Sequence, residues 1–272
     1  MTRQPLWLRI LAHAGAGLVL AFLVLPIAAV LPASVNKASF IILPPTAYSM
    51  RWYGEFFLDG EWRSALLTSL QVAVVATIVA VVLGTISAIG LSRVRGRWHG
   101  VLTGLFLAPM IVPVIVTAVA IYRSALDVGL AGTVLGLGLS HAILALPFVV
   151  INVGIALRAV DPNWLRAAAG LGAGPWTIFR TVTLLNITPG LVGGAVFSFI
   201  TSFDEVVIAV FMAGYAGKTL PVKIWEAIRI EYTPVVAVAA TLMILLAMLL
   251  FAGAQGLSRG QTMLKKTEKP QT

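Results

Sequence analysis

Six long apolar stretches constrain the fold of this chain more than any other feature of its sequence. About 20 residues, rising about 1.5 Å each, cross a hydrocarbon core of about 30 Å. Of the 272 residues, 59% are hydrophobic and only 11% are charged, far from the balance of soluble domains. We predict an all-α polytopic membrane helix bundle, one transmembrane domain over residues 1–272, with six transmembrane helices: Ile10–Leu31, Ala65–Leu91, Val101–Tyr122, Leu130–Leu157, Ile187–Ala213 and Val235–Leu257.

Two other classes of segment can be weighed against this prediction. The sequence lacks the alternating segments of about ten residues that are typical of an outer-membrane barrel, so the backbone hydrogen bonds must be made within helices. Arg3 and Arg9 precede the first stretch, as in a signal peptide. The first stretch is about 22 residues long, whereas the apolar core of a signal peptide has about 7–15 residues. This length favours a transmembrane helix over a cleaved signal peptide. The chain has no cysteine, which excludes disulfides and Cys-ligated metals.

The basic residues predict the orientation of the spans, because they are retained on the cytoplasmic side. With both termini inside, twelve of the 19 lysine and arginine residues lie in inner segments, including a basic cytoplasmic tail over residues 258–272. The net charge of +9 then reflects topology and contact with membrane lipid, and no nucleic-acid partner is expected.

The outer connection from Pro32 to Ser64 is too long for a turn and is rich in aromatic residues. We expect it to be ordered. Its aromatic side chains fit a belt at the outer headgroup level, and a surface for a partner is the alternative. The residues concerned are Trp52, Tyr53, Phe56, Phe57 and Trp62.

The inner connection over residues 158–186 carries its own helix signals. Asp161 can cap a helix that has Pro162 at its first position, and glycines at 172 and 174 can end it. Pro175 can begin a second helix leading to the fifth span. The first helix is too short to be stable alone, so it needs a surface to pack on.

One apolar stripe is predicted on this first short helix. Trp164, Ala168 and Leu171 recur at i, i+4 and i+7, while Arg166 points elsewhere. Small residues at positions 167–169 leave room for close approach by another surface.

Nucleotide-binding strings and catalytic constellations fail on their spacing. GLGAGP, residues 170–175, and GYAGKT, residues 214–219, both lack the glycine that their motifs require. The three histidines are scattered, and no known catalytic motif is present. We therefore predict no enzyme activity, no metal and no cofactor in this chain.

The inner connection DPNWLRAAAGLGAGPWTIFRTVTLLNITPG resembles the EAA loop of the permease subunits of binding-protein-dependent ABC importers. With the glycine of that motif placed on Gly172, its alanine pair falls on Ala167 and Ala168. Two positions depart from the pattern: Arg166 stands at the glutamate, and Leu185 at the proline. The stretches SMRWYGEFFLDGEWRSALLTSLQVA, SFITSFDEVVIAVFMAG and KTLPVKIWEAIR are similar to the spermidine/putrescine-type permease C family.

This resemblance implies a type I importer permease fold of the MetI-like kind, in the bacterial inner membrane. It implies a second permease, expected to be a paralogue, two copies of a cytoplasmic ATPase that bind ATP and Mg, and an external solute-binding protein. The solute would be a small cation such as a polyamine, or an opine, amino-acid derivative or phosphonate. The ATPase-coupling surface would be Trp164, Arg166, Ala167, Ala168, Leu171 and Gly172.

Three ionisable residues inside predicted spans are candidates for the translocation pathway, since such residues are costly in lipid. They are His141, Asp204 and Glu205. On a straight fifth helix, Asp204 would lie about 26 Å from Ile187, in the outer half of the membrane. Adjacent residues diverge by about 100°, so the two carboxylates could not face one cavity equally. The pair could attract a cationic solute, or brace another helix or cap a break, and His141 could simply bond between helices.

An ion-coupled secondary transporter is the alternative from another functional class. Such transporters are typically built from repeated halves with broken helices near the midplane, and the sequence shows no clear repeat.

Overall fold

The computed structural model describes residues 6–212, 214, 217–230 and 233–267, with side chains as far as Gly256. Within those ranges the regular elements are helical, apart from an isolated antiparallel bridge between Asn36 and Tyr48. This confirms the all-α class. The helices are α1 (Leu6–Ser34), α2 (Arg51–Leu58), α3 (Gly60–Arg93), α4 (Arg97–Ile111), α5 (Val114–Asp127), α6 (Val134–Arg158), α7 (Pro162–Gly170), α8 (Pro175–Ile178), a π-helical turn (Phe179–Thr183), α9 (Leu184–Phe203), α10 (Val207–Met212), α11 (Leu220–Ile230) and α12 (Pro234–Thr267).

Five of the described helical stretches are each long and apolar enough to cross a membrane, and they are Leu6–Ser34, Gly60–Arg93, Val134–Arg158, Pro175–Phe203 and Pro234–Gly256. A sixth span exists only if α4 and α5 are counted together, and these two helices meet at 97°. The prediction of one continuous helix over Val101–Tyr122 is therefore wrong. Pro113 lacks the N–H that a continuing helix needs, and its ring restricts Val112 to the extended backbone observed there.

Two other predicted boundaries also differ from the structure. The fifth stretch is helical only to Phe203 and resumes at Val207, while Ala213 lies outside the described residues. At the C-terminus, α12 continues as a helix to Thr267, so most of the predicted basic tail extends the last span. Residues 268–272 lie outside the described part of the chain.

The described residues form two compact units. The first contains those up to Arg63 together with Ile224–Leu245, and its ordered core is the outer connection. The backbone there is tied by Ser49 N–H donating to Val35 O at 2.7 Å, and the Trp52 indole N–H donates to Asn36 O, also at 2.7 Å.

The aromatic side chains of this outer connection mostly face inward. Trp52, Phe56 and Trp62 are buried, with the rings of Phe56 and Trp62 at a centroid distance of 5.7 Å. These three form a core rather than the predicted headgroup belt, because Trp52 and Phe56 lie on the buried face of α2 and Trp62, in the first turn of α3, packs on Phe56. Phe57 stays about half exposed.

The second unit contains Ser64–Lys223 and the described residues from Leu246 onward. Its largest contact joins α6 and α9, where Gly190 lets the two backbones approach closely. A Cβ added at Gly190 would lie 2.6 Å from Asn152 O and 2.7 Å from Ala156 Cβ. Small residues at such contacts are how membrane helices pack tightly without a hydrophobic driving force between them. This contact positions both candidate sites, since α6 leads into α7 and α9 leads to Asp204.

Candidate functional site

The connection between α6 and α9 forms a short helix, α7, with well-defined ends. The Asp161 carboxylate accepts from Asn163 N–H at 2.8 Å, and Pro162 occupies the first helical position. At the other end Gly172 has a φ of +81°, a left-handed conformation that suits glycine. Ala173 N–H donates to Ala168 O and Gly172 N–H to Ala169 O, the two bonds of a Schellman motif. The caps therefore fix both ends of α7 as the sequence predicts.

The faces of α7 differ from the predicted stripe. Leu165 packs against the buried cluster that includes Val153 and Ile187, and Ala168 is partly buried. Trp164 is 50% exposed and Leu171 is 90% exposed. The predicted stripe is thus divided, because Ala168 lies on the border of the face that holds α7 to the second unit. Leu165 is the residue that anchors α7 to the second unit. It was not identified from the sequence, although an aliphatic residue three positions before Ala168 indicates a shared helix face.

The remaining residues of the predicted coupling surface are exposed. Arg166 and Ala167 are exposed, as is Gly172, which follows the last turn of α7. Beyond Gly174 the chain is continuously helical from Pro175 to Phe203. The helix α7 is therefore joined to α6 and to the helical run that contains α9 by connections of only a few residues each.

The second candidate site is a buried polar cluster where α6 meets the end of α9. His141 is 1% exposed, and its Nδ1 lies 2.9 Å from Ser202 Oγ and 3.0 Å from Ser202 O. Its Nε2 lies 3.4 Å from Glu205 Oε2, within ion-pair distance but without the alignment of a hydrogen bond. Ser202 was not identified from the sequence. Its position, close to Asp204 and Glu205 in an apolar span, is the feature that could have indicated it.

Glu205 organises the break between α9 and α10. Its carboxylate accepts from the N–H groups of Val207, Ile208 and Ala209 at 2.8, 3.0 and 3.1 Å. These are the orphan donors that begin any helix, and a carboxylate is a favourable partner for them. Of the alternatives for Glu205, the structure favours both structural ones, capping of a break and pairing with another helix.

Asp204 behaves differently from its neighbour. It follows the last residue of α9 as the C-cap, and its side chain is exposed while that of Glu205 is buried. The two carboxylates differ in environment, as predicted. The reason is the break between α9 and α10, and not the angle between neighbouring residues on a straight helix. Asp204 is thus the member of the pair whose carboxylate remains accessible.

The two candidate sites lie at opposite ends of one helical segment. The helical run from Pro175 to Phe203 has 29 residues, about 43 Å at the α-helical rise. The structure therefore brings His141 and Glu205 together but keeps them apart from the residues of α7. In the described part of the chain, no group of three or more His, Cys, Asp or Glu side chains could hold a metal ion.

Comparison with known proteins places this arrangement among transport proteins. Residues 80–261 match the family of binding-protein-dependent transport system inner membrane components. The spermidine/putrescine transport system permease protein PotC of Haemophilus influenzae is 32% identical over 92% of this chain and 96% of its own. The putrescine transport system permease protein PotI of Escherichia coli K12 is 33% identical over 72% of this chain and 73% of its own.

A solved structure supports the fold independently. A chain from a bacterial ABC transporter involved in the import of the acidic polysaccharide alginate superposes with a TM-score of 0.69. The match covers 94% of this chain and 99% of that chain at 15% identity, so it bears on the fold alone. It confirms the predicted importer-permease architecture.

Proposed function

Since this chain belongs to the family of binding-protein-dependent transport system inner membrane components, we propose that it is a permease subunit importing a small organic cation of the polyamine class. As an importer permease of the inner membrane it does not itself hydrolyse ATP. The observation that carries the substrate class is the 32% identity to a spermidine/putrescine permease over 92% of the chain. The alginate transporter, with a similar fold and an acidic cargo, indicates that fold alone does not select the solute.

The partners follow from this assignment. A second permease, expected to be a paralogue, would complete the pathway, and a solute-binding protein would deliver the cation. Two copies of a cytoplasmic ATPase would bind ATP and Mg, and the ATPase would contact the exposed side of α7. The termini would then be cytoplasmic.

The coupling step rests on the geometry of α7. Its caps make it a rigid element, and Leu165 holds it to the second unit while Trp164 and Leu171 stay exposed. A short helix that carries exposed apolar side chains between two spans is suited to dock in a partner's cleft and move both spans. Arg166 stands where related loops have glutamate, so we propose that it contacts an acidic side chain or a helix C-terminus of this ATPase.

The pathway role is assigned to Asp204 alone. Its exposed carboxylate can attract a cation, whereas Glu205 is already engaged by three N–H groups and lies against His141. Glu205 and His141 would hold the break that presents Asp204. They act by positioning rather than by touching the solute.

Reconstitution tests the proposal. The chain should be co-expressed with the ATPase, permease and binding protein encoded beside it, and ATP-dependent uptake of labelled spermidine and putrescine measured in proteoliposomes. Competition by excess ornithine, choline and a phosphonate would separate the polyamine class from related solutes. Uptake of a solute by this chain alone, driven by an ion gradient, would support a secondary transporter instead.

A further inference from the structure

A cavity of about 630 Å³ opens among the ends of three helices in the second unit. It lies between the end of α3, the beginning of α4 and the end of α6, and its lining reaches Pro162, the first residue of α7. A volume of this size falls in the range of about 300–1,000 Å³ that holds small ligands. Its lining contains none of the three candidate pathway residues and, of α7, only Pro162.

The residues that line this cavity form a basic part and an apolar part. Its ionisable side chains are those of His99 and Arg158, joined by the hydroxyls of Ser92 and Thr103. Among the described residues that line it, none is acidic. An unopposed arginine beside hydroxyl groups is suited to bind a phosphate or carboxylate.

The apolar part of the lining continues onto the surface of the spans. Leu107, Ile151 and Ile155 line the cavity, and the side chain of Ile155 is more than half exposed. An inorganic anion would satisfy the arginine but leave these walls without a partner. A molecule with an anionic head and an apolar chain would satisfy both.

The position along the membrane normal fits the same chemistry. Arg158 is the last residue of α6 and Arg93 the last of α3, so the basic part of the cavity lies where these spans end. Phospholipid headgroups are found at this level, and basic pockets between transmembrane helices bind acidic ones.

We propose that this cavity binds the headgroup phosphate of an anionic phospholipid through Arg158, with one acyl chain along Leu107, Ile151 and Ile155. His99 and the Thr103 hydroxyl complete the headgroup site, since the Ser92 hydroxyl already donates to Ile89 O at 2.7 Å. Because Val160 and Pro162 also line the cavity, the bound lipid would contact the connection into α7 and restrict its movement. The second effect rests on the proposed function of α7, whereas the lipid site itself does not.

Charge provides the first test. When the chain is purified in nanodiscs that mix phosphatidylcholine and phosphatidylglycerol, gentle delipidation should leave phosphatidylglycerol bound in preference to phosphatidylcholine, as measured by native mass spectrometry. Nanodiscs of phosphatidylcholine alone are the blank. Arg158→Gln should reduce this retention about tenfold, as expected for loss of a charge-assisted contact. Arg95→Gln, which removes the same charge from an exposed residue outside the lining, should leave it unchanged. Equal losses in both variants would overturn the site in favour of general attraction to the surface.

Volume provides the second test and does not depend on charge. Gly154 lines the cavity, and a Cβ added there meets no atom within 4 Å, so Gly154→Leu should fold and fill the space. It should lose phosphatidylglycerol retention as Arg158→Gln does. Gly90→Leu, with an equally open Cβ position outside the lining, is the matched control. Retention that survives Gly154→Leu would overturn the proposal.

Two further arms separate the remaining explanations. Excess inorganic phosphate should not displace the lipid, and complete displacement would identify a site for a soluble anion instead. In the assembled complex, phosphatidylglycerol should lower ATP-driven uptake for the wild type, because it restricts movement of the connection into α7, but not for Gly154→Leu. A complex that fails to bind its ATPase would contradict the proposed function, while a normal complex without selective lipid retention would contradict the lipid site alone.

Discussion

His141 Nε2 on α6 lies 3.4 Å from Oε2 of Glu205, the residue that caps the break between α9 and α10. The contact ties the point where the fifth span is interrupted to the adjacent fourth span. Charged groups inside a membrane are costly unless they are paired and bonded. This contact and the three N–H groups that donate to Glu205 explain how a carboxylate is accommodated at the break.

Truncation of Glu205 should destabilise this break. Glu205→Ala leaves three N–H groups and the His141 imidazole without their carboxylate, which should cost about 1–3 kcal/mol. Glu205→Gln keeps an acceptor oxygen and should cost less. Thermal unfolding in detergent measures both, and equal losses would show that capping is not the main role of Glu205.

Neutralisation of Asp204 should affect transport rather than stability. Its carboxylate is exposed, so Asp204→Asn should keep the melting temperature and complex assembly of the wild type. Uptake of a polyamine should fall about tenfold or more, through loss of attraction to the cation. A parallel loss of assembly and uptake would mean that Asp204 has a structural role.

The packing of α3 on α6 predicts a steric defect. A Cβ added at Gly84 would lie 2.7 Å from Val149 Cβ, so Gly84→Ala should lower the free energy of unfolding by about 1–3 kcal/mol. Gly90→Ala on the same helix meets no atom within 4 Å and should be neutral or stabilising. Denaturant titration of the two variants compares them, and identical curves would argue against this contact.

The end of α7 depends on the left-handed backbone of Gly172. Gly172→Ala should destabilise the end of this helix by about 1 kcal/mol, since non-glycine residues are strained at a φ of +81°. Gly170→Ala lies inside α7 with an open Cβ position and should strengthen the helix. Amide hydrogen exchange across residues 163–173 should therefore become faster in the first variant and slower in the second. The same direction in both would contradict the capping geometry.

Local signals in the sequence predicted the features that depend on nearby residues. Asp161, Pro162 and Gly172 act within one or two turns, and the structure has them at the ends of α7 as their chemistry requires. The apolar length of the spans likewise depends only on composition. Pro113 was a local signal too, and reading the stretch around it as one helix overlooked the restriction that proline imposes.

Features that join distant residues could not be predicted in the same way. The contact between His141 and Ser202 links two spans, and nothing in the sequence pattern specifies the register of α6 against α9. The inward turn of Trp52 and Phe56 similarly required the fold of the whole outer connection. The cavity beside Arg158 arises from three helix ends and has no motif of its own.

Co-purification of the ATPase with a Leu171→Glu variant tests the central claim, that α7 couples this permease to its ATPase, most directly. Leu171 is 90% exposed, so the substitution should leave insertion and folding intact. Leu58→Glu, at an exposed leucine ending α2, is the matched control. We predict that ATPase recovery falls about tenfold or more for Leu171→Glu alone, because a charge is placed in a desolvated contact. Full ATPase recovery and normal ATP-driven uptake with Leu171→Glu would contradict the assignment.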